Sequence, residues 1–193
     1  MNCTHSPGDY CVNCVDLNDP PLVNTHSPHA AFKHLILRRL GSMFDLKVFV
    51  ETGTNRGDTI DYLRDFFDEI HSIELHPDLY NYAVERFSGN DHIYLVHGNS
   101  GVMLAEVLKK FAGPCLMWID AHPTGGPSAN EGIPLDDELR TIYKMAPNSL
   151  VVVDDAWPED VDRLPKEAGW TMRWYHGLVF IHREGLYNIP ERF

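Results

Sequence analysis

From Pro28 onward, apolar and polar positions alternate between a helical period and short strand-like runs. Ala31, Phe32, Leu35, Ile36, Leu37 and Leu40 recur at helical spacing, and Gly41 is the expected stop. Lys47 to Glu51 is a short apolar run ending in a carboxylate, which predicts a buried strand. Residues 57 to 67 read as helix and Ile70 to Leu75 as a second strand. A helix opens at His76-Pro77-Asp78 and reaches about Phe87. His92 to Val96 is a third strand, followed by a helix from Ser100 to Phe111. Cys115 to Asp120 is a fourth strand, a helix runs from about Pro134 to Met145, and Leu150 to Asp154 is a fifth strand.

Regular alternation of strand and helix predicts a parallel sheet covered on both faces. The end departs from it. Trp170 to Tyr175 and Leu178 to His182 are strand-like runs separated only by His176-Gly177, and two residues join antiparallel strands but not parallel ones. The expected architecture is therefore an α/β fold, doubly wound, with a mostly parallel seven-stranded sheet that ends in an antiparallel hairpin. Residues 1 to 28 stand apart as a Cys/His-rich extension with no helical or strand period, leaving 29 to 193 as the main domain.

Length and charge narrow the reading. At 193 residues and 44% hydrophobic content, one domain with a full core is expected. The formal net charge of −12 and the lack of a basic patch argue against nucleic acid as a partner. No stretch approaches the ~18 apolar residues of a membrane span. The first residues carry neither the basic nor the apolar region of a secretory signal, so a cytoplasmic location is the default expectation.

The most informative segment is Glu51-Thr52-Gly53-Thr54-Asn55-Arg56-Gly57, between the first strand and the next helix. Ligands of open α/β sheets bind beyond the carboxyl ends of the strands, at the switch point. Gly53 and Gly57 would let the backbone approach a ligand. Glu74, about 20 residues beyond Gly53, has the usual offset of a carboxylate that accepts ribose hydroxyls. A phosphate-binding loop would need Gly-Lys-Ser/Thr where Gly57-Asp58-Thr59 stands. The spacing of a dinucleotide loop is also absent. A carboxylate at Glu51 would repel phosphate but suit an ammonium and a sulfonium.

With its closing hairpin, the segment from about 45 to 185 resembles the class I S-adenosylmethionine-dependent methyltransferases, whose first motif is written E-x-G-x-G-x-G. Asn55 replaces the middle glycine, and asparagine tolerates left-handed backbone better than most residues. The resemblance implies a cofactor site of Glu51, Thr52, Gly53, Thr54, Gly57, Asp58, Thr59, Glu74, Asn99, Ser100 and Asp120. Asn99 and Ser100, in Gly98-Asn99-Ser100 after the third strand, would meet the adenine edge. Taken alone, that tripeptide equally suits a helix N-cap.

The fourth strand ends in Asp120-Ala121-His122 and the fifth in Asp154-Asp155. These ends should converge, and their carboxylates suit a hard divalent cation. The arrangement is similar to metal-dependent O-methyltransferases of the catechol and macrolide-sugar types. On that likeness Asp120, Asp154 and Asp155 would hold Mg²⁺ or a related ion, which would bind two vicinal substrate oxygens and lower the pKa of one. Acids at strand ends also cap helices or meet the cofactor's amino group, and Asp120 has that second reading. His122 is the candidate general base, or a further metal ligand. Asp120 and His122 are the candidate catalytic pair. The loop at 123 to 133 and Trp157 are candidates for the acceptor wall. Asp120-x-His122, Gly125-Gly126 and Pro134-Leu135-x-x-Glu138-Leu139 together resemble a subgroup of uncharacterised methyltransferase-like proteins.

Cys3, His5, Cys11 and Cys14 are four soft ligands close together near the N-terminus, enough for a structural Zn²⁺ site. His26 or His29 could replace His5, and free thiols or a disulfide are the alternatives. The leading expectation is an enzyme that moves a methyl group from S-adenosyl-L-methionine to an oxygen or nitrogen of a small polar acceptor, with or without a divalent metal. A metal-assisted hydrolase or cofactor-cleaving enzyme on the same scaffold is one alternative. A non-catalytic module that binds a partner through its N-terminal knuckle is another. Oligomeric state is left open.

Overall fold

The computed structural model describes residues 30–120, 134–156, 158–159, 161–191 and 193. The expectations placed on Cys3, His5, Cys11, Cys14, His26, His29, His122, Trp157 and the 123–133 loop lie outside these residues. In chain order the elements are α1 (Ala30–Met43), β1 (Val48–Thr52), α2 (Asp58–Leu63), β2 (Glu69–Glu74), α3 (Pro77–Arg86) and β3 (Ile93–His97). There follow α4 (Ser100–Val107), β4 (Cys115–Ile119), α5 (Leu135–Met145), β5 (Leu150–Val153), β6 (Trp170–Tyr175) and β7 (Leu178–Arg183).

The strands form one seven-stranded sheet in the order β3-β2-β1-β4-β5-β7-β6. The chain runs outward from β1 to β3, then crosses back to place β4 on the other side of β1. Those two neighbours pair in parallel with Val48 opposite Cys115 and Thr52 opposite Ile119. This reversal makes the carboxyl ends of β1 and β4 the switch point. β7 alone runs antiparallel, between β5 and β6. Its hairpin turn has positive φ at both central residues, 47° at His176 and 81° at Gly177, the type I′ geometry that suits twisted strands.

Side-chain alternation along each strand divides the core in two. One cluster joins Phe49, Ile70, Leu116, Trp118, Val152 and Phe180 to helices α1, α2 and α3. The other joins Val50, Ile73, Met117, Ile119 and Val153 to α4 and α5. β4 is buried along its whole length, as a central strand covered on both faces must be.

Most predicted elements lie within a residue or two of the observed ones, and three helices differ in extent: α4, expected to reach Phe111, ends at Val107, and α1 and α2 also depart. α1 continues through Gly41 to Met43. Gly41 is buried, and a Cβ there would lie 2.8 Å from Phe67 Cζ and 2.9 Å from Phe66 Cε1. That glycine makes room for two aromatic rings and does not end the helix. α2 is shorter than expected, stopping at Leu63. Phe66 and Phe67 follow in a turn held by Phe66 N–H to the Leu63 carbonyl at 2.9 Å. No helix among the described residues is long and apolar enough to cross a membrane.

Candidate cofactor loop and acidic rim

The loop after β1 is built for close backbone packing. Gly53, Asn55 and Gly57 have φ of 88°, 50° and 78°. Asn55 thus takes the left-handed conformation that its position in the glycine pattern requires. Gly53 N–H bonds the Ile73 carbonyl at 2.9 Å, and Gly57 N–H bonds the Thr54 carbonyl at 2.8 Å. The bare Cα of Gly57 serves packing: a Cβ would lie 2.5 Å from Phe87 Cε2.

Glu51 and Thr52 point to opposite faces at the end of β1. Glu51, 1% exposed, accepts a 2.7 Å hydrogen bond from Ser72 Oγ on the neighbouring strand. Ser72 in turn lies 2.6 Å from Thr54 Oγ1. Burial pushes the Glu51 carboxyl up to about 8, with Asp120 and Glu74 adding to the rise and the hydroxyls of Ser72 and Thr59 opposing it. Glu74 ends β2. Its Oε2 accepts from Asn55 N–H at 2.7 Å and its Oε1 from His76 N–H at 2.8 Å. Each oxygen keeps a second lone pair for another donor. Glu74 therefore ties the β1 loop to the start of α3.

Two predicted residues have structural partners. Asp58 is exposed and pairs with Arg86 at 2.8 Å. Asn99 is the N-cap of α4, its Oδ1 accepting from Gly101 N–H at 2.9 Å, so the capping reading of Gly98-Asn99-Ser100 holds. Ser100 is buried beside the carboxyl of Glu138, a fully buried residue on α5. Burial raises the Glu138 pKa. Ser100 and Thr52 lower it in part, but neither completes a well-formed hydrogen bond, and among the described residues both carboxyl oxygens and Thr52 Oγ1 have no partner.

The rim at β4 and β5 assembles as its sequence predicts. Asp120 N–H bonds the Thr52 carbonyl at 3.0 Å and Asp154 N–H the Ile119 carbonyl at 2.9 Å, extending the parallel ladder past the strand ends. Asp120, Asp154 and Asp155 bring one carboxylate oxygen each to within 4.8 Å of one another. Burial pushes Asp120 up to about 8, reinforced by Asp154, and Asp154 up to about 6. Asp155 has φ of 47° and its N–H bonds Asp154 Oδ1 at 2.7 Å.

Lys33 of α1 reaches this rim, a contact that motif reading missed. Its Nζ lies 2.7 Å from Asp154 Oδ2 and 3.1 Å from Asp155 Oδ1. Burial opposes its charge, but the two carboxylates outweigh that penalty and raise its pKa. A sequence signal existed. Lys33 precedes buried Ile36 and Leu37 by three and four residues, so it lies on the inward stripe of α1. Glu138 stands in the same relation to buried Ile142 on α5.

Several solved structures align with this architecture, among them three methyltransferases. The O-methyltransferase TomG from Streptomyces achromogenes, involved in tomaymycin synthesis and solved in complex with SAM, aligns at a TM-score of 0.62. Its identity is 16%, over 81% of this chain and 82% of that one. An O-methyltransferase from Bacillus cereus in complex with SAH aligns at 0.60, with 15% identity over 82% and 83% of the two chains. The putative methyltransferase yhhF from Escherichia coli aligns at 0.56, with 13% identity over 86% and 90%. No protein-family model matches the chain, and no curated protein matches it in sequence. The chain has the Rossmann-like methyltransferase fold, with a mostly parallel seven-stranded sheet and a single antiparallel strand.

Proposed function

We propose that this protein is an S-adenosylmethionine-dependent methyltransferase acting on an oxygen or nitrogen of a small polar acceptor. The observation that carries the reading is the left-handed loop at the switch point, flanked by the buried acids Glu51 and Glu74. The cradle fits the cofactor. The carboxyls of Glu51 and Glu74 would suit an ammonium, a sulfonium and ribose hydroxyls, and no basic side chain lies in the loop apart from exposed Arg56. Gly53 and Thr54 would line the methionine portion, with Thr52, Gly57, Asp58 and Thr59 shaping the loop and the start of α2. Glu74 would accept the ribose hydroxyls, and Asn99 and Ser100 would meet the adenine edge.

Bound there, S-adenosylmethionine would supply an electrophilic methyl group. The protein's share of the chemistry is to place the acceptor in line with that group and to exclude water. Asp120, at the rim between the cofactor loop and β5, is the side chain proposed to orient the acceptor, with His122 the proposed base for its proton. Divalent assistance through Asp120, Asp154 and Asp155 is a further part of the sequence expectation. The donor set argues against it, because Lys33 already bonds two of the three acids, and no step is routed through a metal. A structural zinc held by Cys3, His5, Cys11 and Cys14 is proposed for the 1–28 extension, separately from the chemistry of 29–193.

Calorimetric titration with S-adenosylmethionine tests the reading. One site per chain is expected. Glu74→Ala should weaken binding about 10- to 100-fold, the worth of hydrogen bonds to a charged group. Failure of the wild-type chain to bind would remove the proposal.

A further inference from the structure

We propose that Lys33 is the resident cation of the acidic rim, filling the place where Asp154 and Asp155 would meet a divalent ion and keeping such an ion out. The argument starts from geometry. Both oxygens of Asp154 are engaged: Oδ2 with the Lys33 ammonium at 2.7 Å and Oδ1 with the Asp155 N–H at 2.7 Å. The same ammonium contacts Asp155 Oδ1 at 3.1 Å. A hard cation of Mg²⁺ size binds its oxygens at about 2.0–2.1 Å with near-octahedral geometry. Bound to Asp154 Oδ2, it would sit within a few ångströms of a second positive charge.

The ammonium is also not free to leave. The Lys33 side chain is 13% exposed and that of Asp154 is 3% exposed. Their bond joins α1 to the end of β5 across 121 residues of sequence. α1 is anchored by Phe32, Ile36, Leu37 and Leu40, all buried in the core cluster that includes Trp118 and Val152. The lysine stem therefore arrives at the rim from a fixed helix. Moving its head away would strand Asp154 as a buried charge without a counter-ion, which is strongly unfavourable.

The assignment changes what the rim selects. A bound divalent ion favours acceptors with two adjacent oxygens that can chelate it. An ammonium pointed at two carboxylates makes no such demand. Lys33 is thus a positioning residue that holds Asp154 and Asp155 in place, and acceptor recognition falls to Asp120 and the residues around it. This last consequence rests on the methyltransferase reading, whereas the cation assignment does not.

The test is binding of Mn²⁺ alone to the full chain, followed by calorimetry and by electron paramagnetic resonance of the free ion. The wild type should show no stoichiometric binding up to about 1 mM, the weak end of protein sites for hard cations. Lys33→Met, which keeps the stem and removes the charge, should gain one site at least about tenfold tighter, because a nearby like charge has gone. Lys33→Gln should behave in the same way, and the double variant Lys33→Met/Asp154→Asn should lose the gain. Circular dichroism and thermal melts check that each variant folds. Stoichiometric Mn²⁺ on the wild type that Asp154→Asn abolishes would overturn the proposal, even if neither Lys33 variant folds. So would folded Lys33→Met and Lys33→Gln proteins that bind Mn²⁺ no better than wild type. Titration of the same samples with S-adenosylmethionine reads the cofactor proposal independently.

Discussion

Glu51, buried at the start of the loop after β1, can be tested through pH. Its carboxyl ionises near 4.5 in the unfolded chain and near 8 in the fold. Between those values the folded state holds a proton that the unfolded state has released, so stability falls as pH rises. The penalty begins above about pH 4.5 and is complete above about pH 8. At pH 7 the gap is about 2.5 pH units, or about 3 kcal/mol at 1.36 kcal/mol per unit. For a domain of this size that is roughly 6–12 °C in Tm. Glu51→Gln removes the titration while keeping an acceptor for Ser72 Oγ. The two proteins should melt at similar temperatures at pH 5, and the variant should gain steadily on the wild type up to pH 8. Differential scanning calorimetry from pH 5 to 9 measures the gap, and a pH-independent difference in Tm would refute the reasoning. A cationic ligand adds a second readout. If Glu51 must ionise to receive it, wild-type binding at pH 7 should release a proton, seen as a dependence of the calorimetric heat on the buffer's ionisation enthalpy, and Glu51→Gln should lose that component.

Two further substitutions test the packing beneath the site. Gly57→Ala places a methyl 2.5 Å from the Phe87 ring at a φ of 78°, and should lower stability by about 2–4 kcal/mol in urea denaturation, in the range of overpacking plus backbone strain. Adding Phe87→Leu should return part of the packing share of that loss; no recovery would mean the strain is in the backbone alone. Glu138→Gln removes a fully buried carboxyl whose pKa is raised and whose oxygens have no well-formed hydrogen bond among the described residues. It should raise stability by about 1 kcal/mol or more at pH 8 and by less at pH 5, since the folded acid resists ionisation as the pH rises. A loss of stability at pH 8 would show that the carboxyl has a partner there.

Much of the architecture could be read from local pattern. Lys47 to Glu51, Ile70 to Leu75 and Cys115 to Asp120 are runs of strand length, and the helices between them have their own period, so a parallel sheet follows without knowledge of contacts. His176-Gly177 likewise forces an antiparallel hairpin. The left-handed shape of the loop after β1 was legible because its constraint is local: Gly53, Asn55 and Gly57 are residues that accept a positive φ. The misread features arise from distant neighbours. Gly41 looks like a helix stop until Phe66 and Phe67 are seen to pack on it, and Gly57 has a packing role against Phe87 that no local pattern shows.

The sequence by itself determined the order of elements, the class of sheet, and the placing of Glu51, Glu74, Asp120, Asp154 and Asp155 at strand ends. Strand periodicity and chain connectivity are enough to put those acids on one rim. Tertiary structure alone decided what state they are in. It buried Glu51 against Ser72, buried the Glu138 carboxyl beside Ser100 with no well-formed hydrogen bond among the described residues, and brought Lys33 from α1 onto Asp154 and Asp155. Charge and pKa at the rim depend on burial and on through-space neighbours far away in the chain, and a motif read along the backbone contains neither.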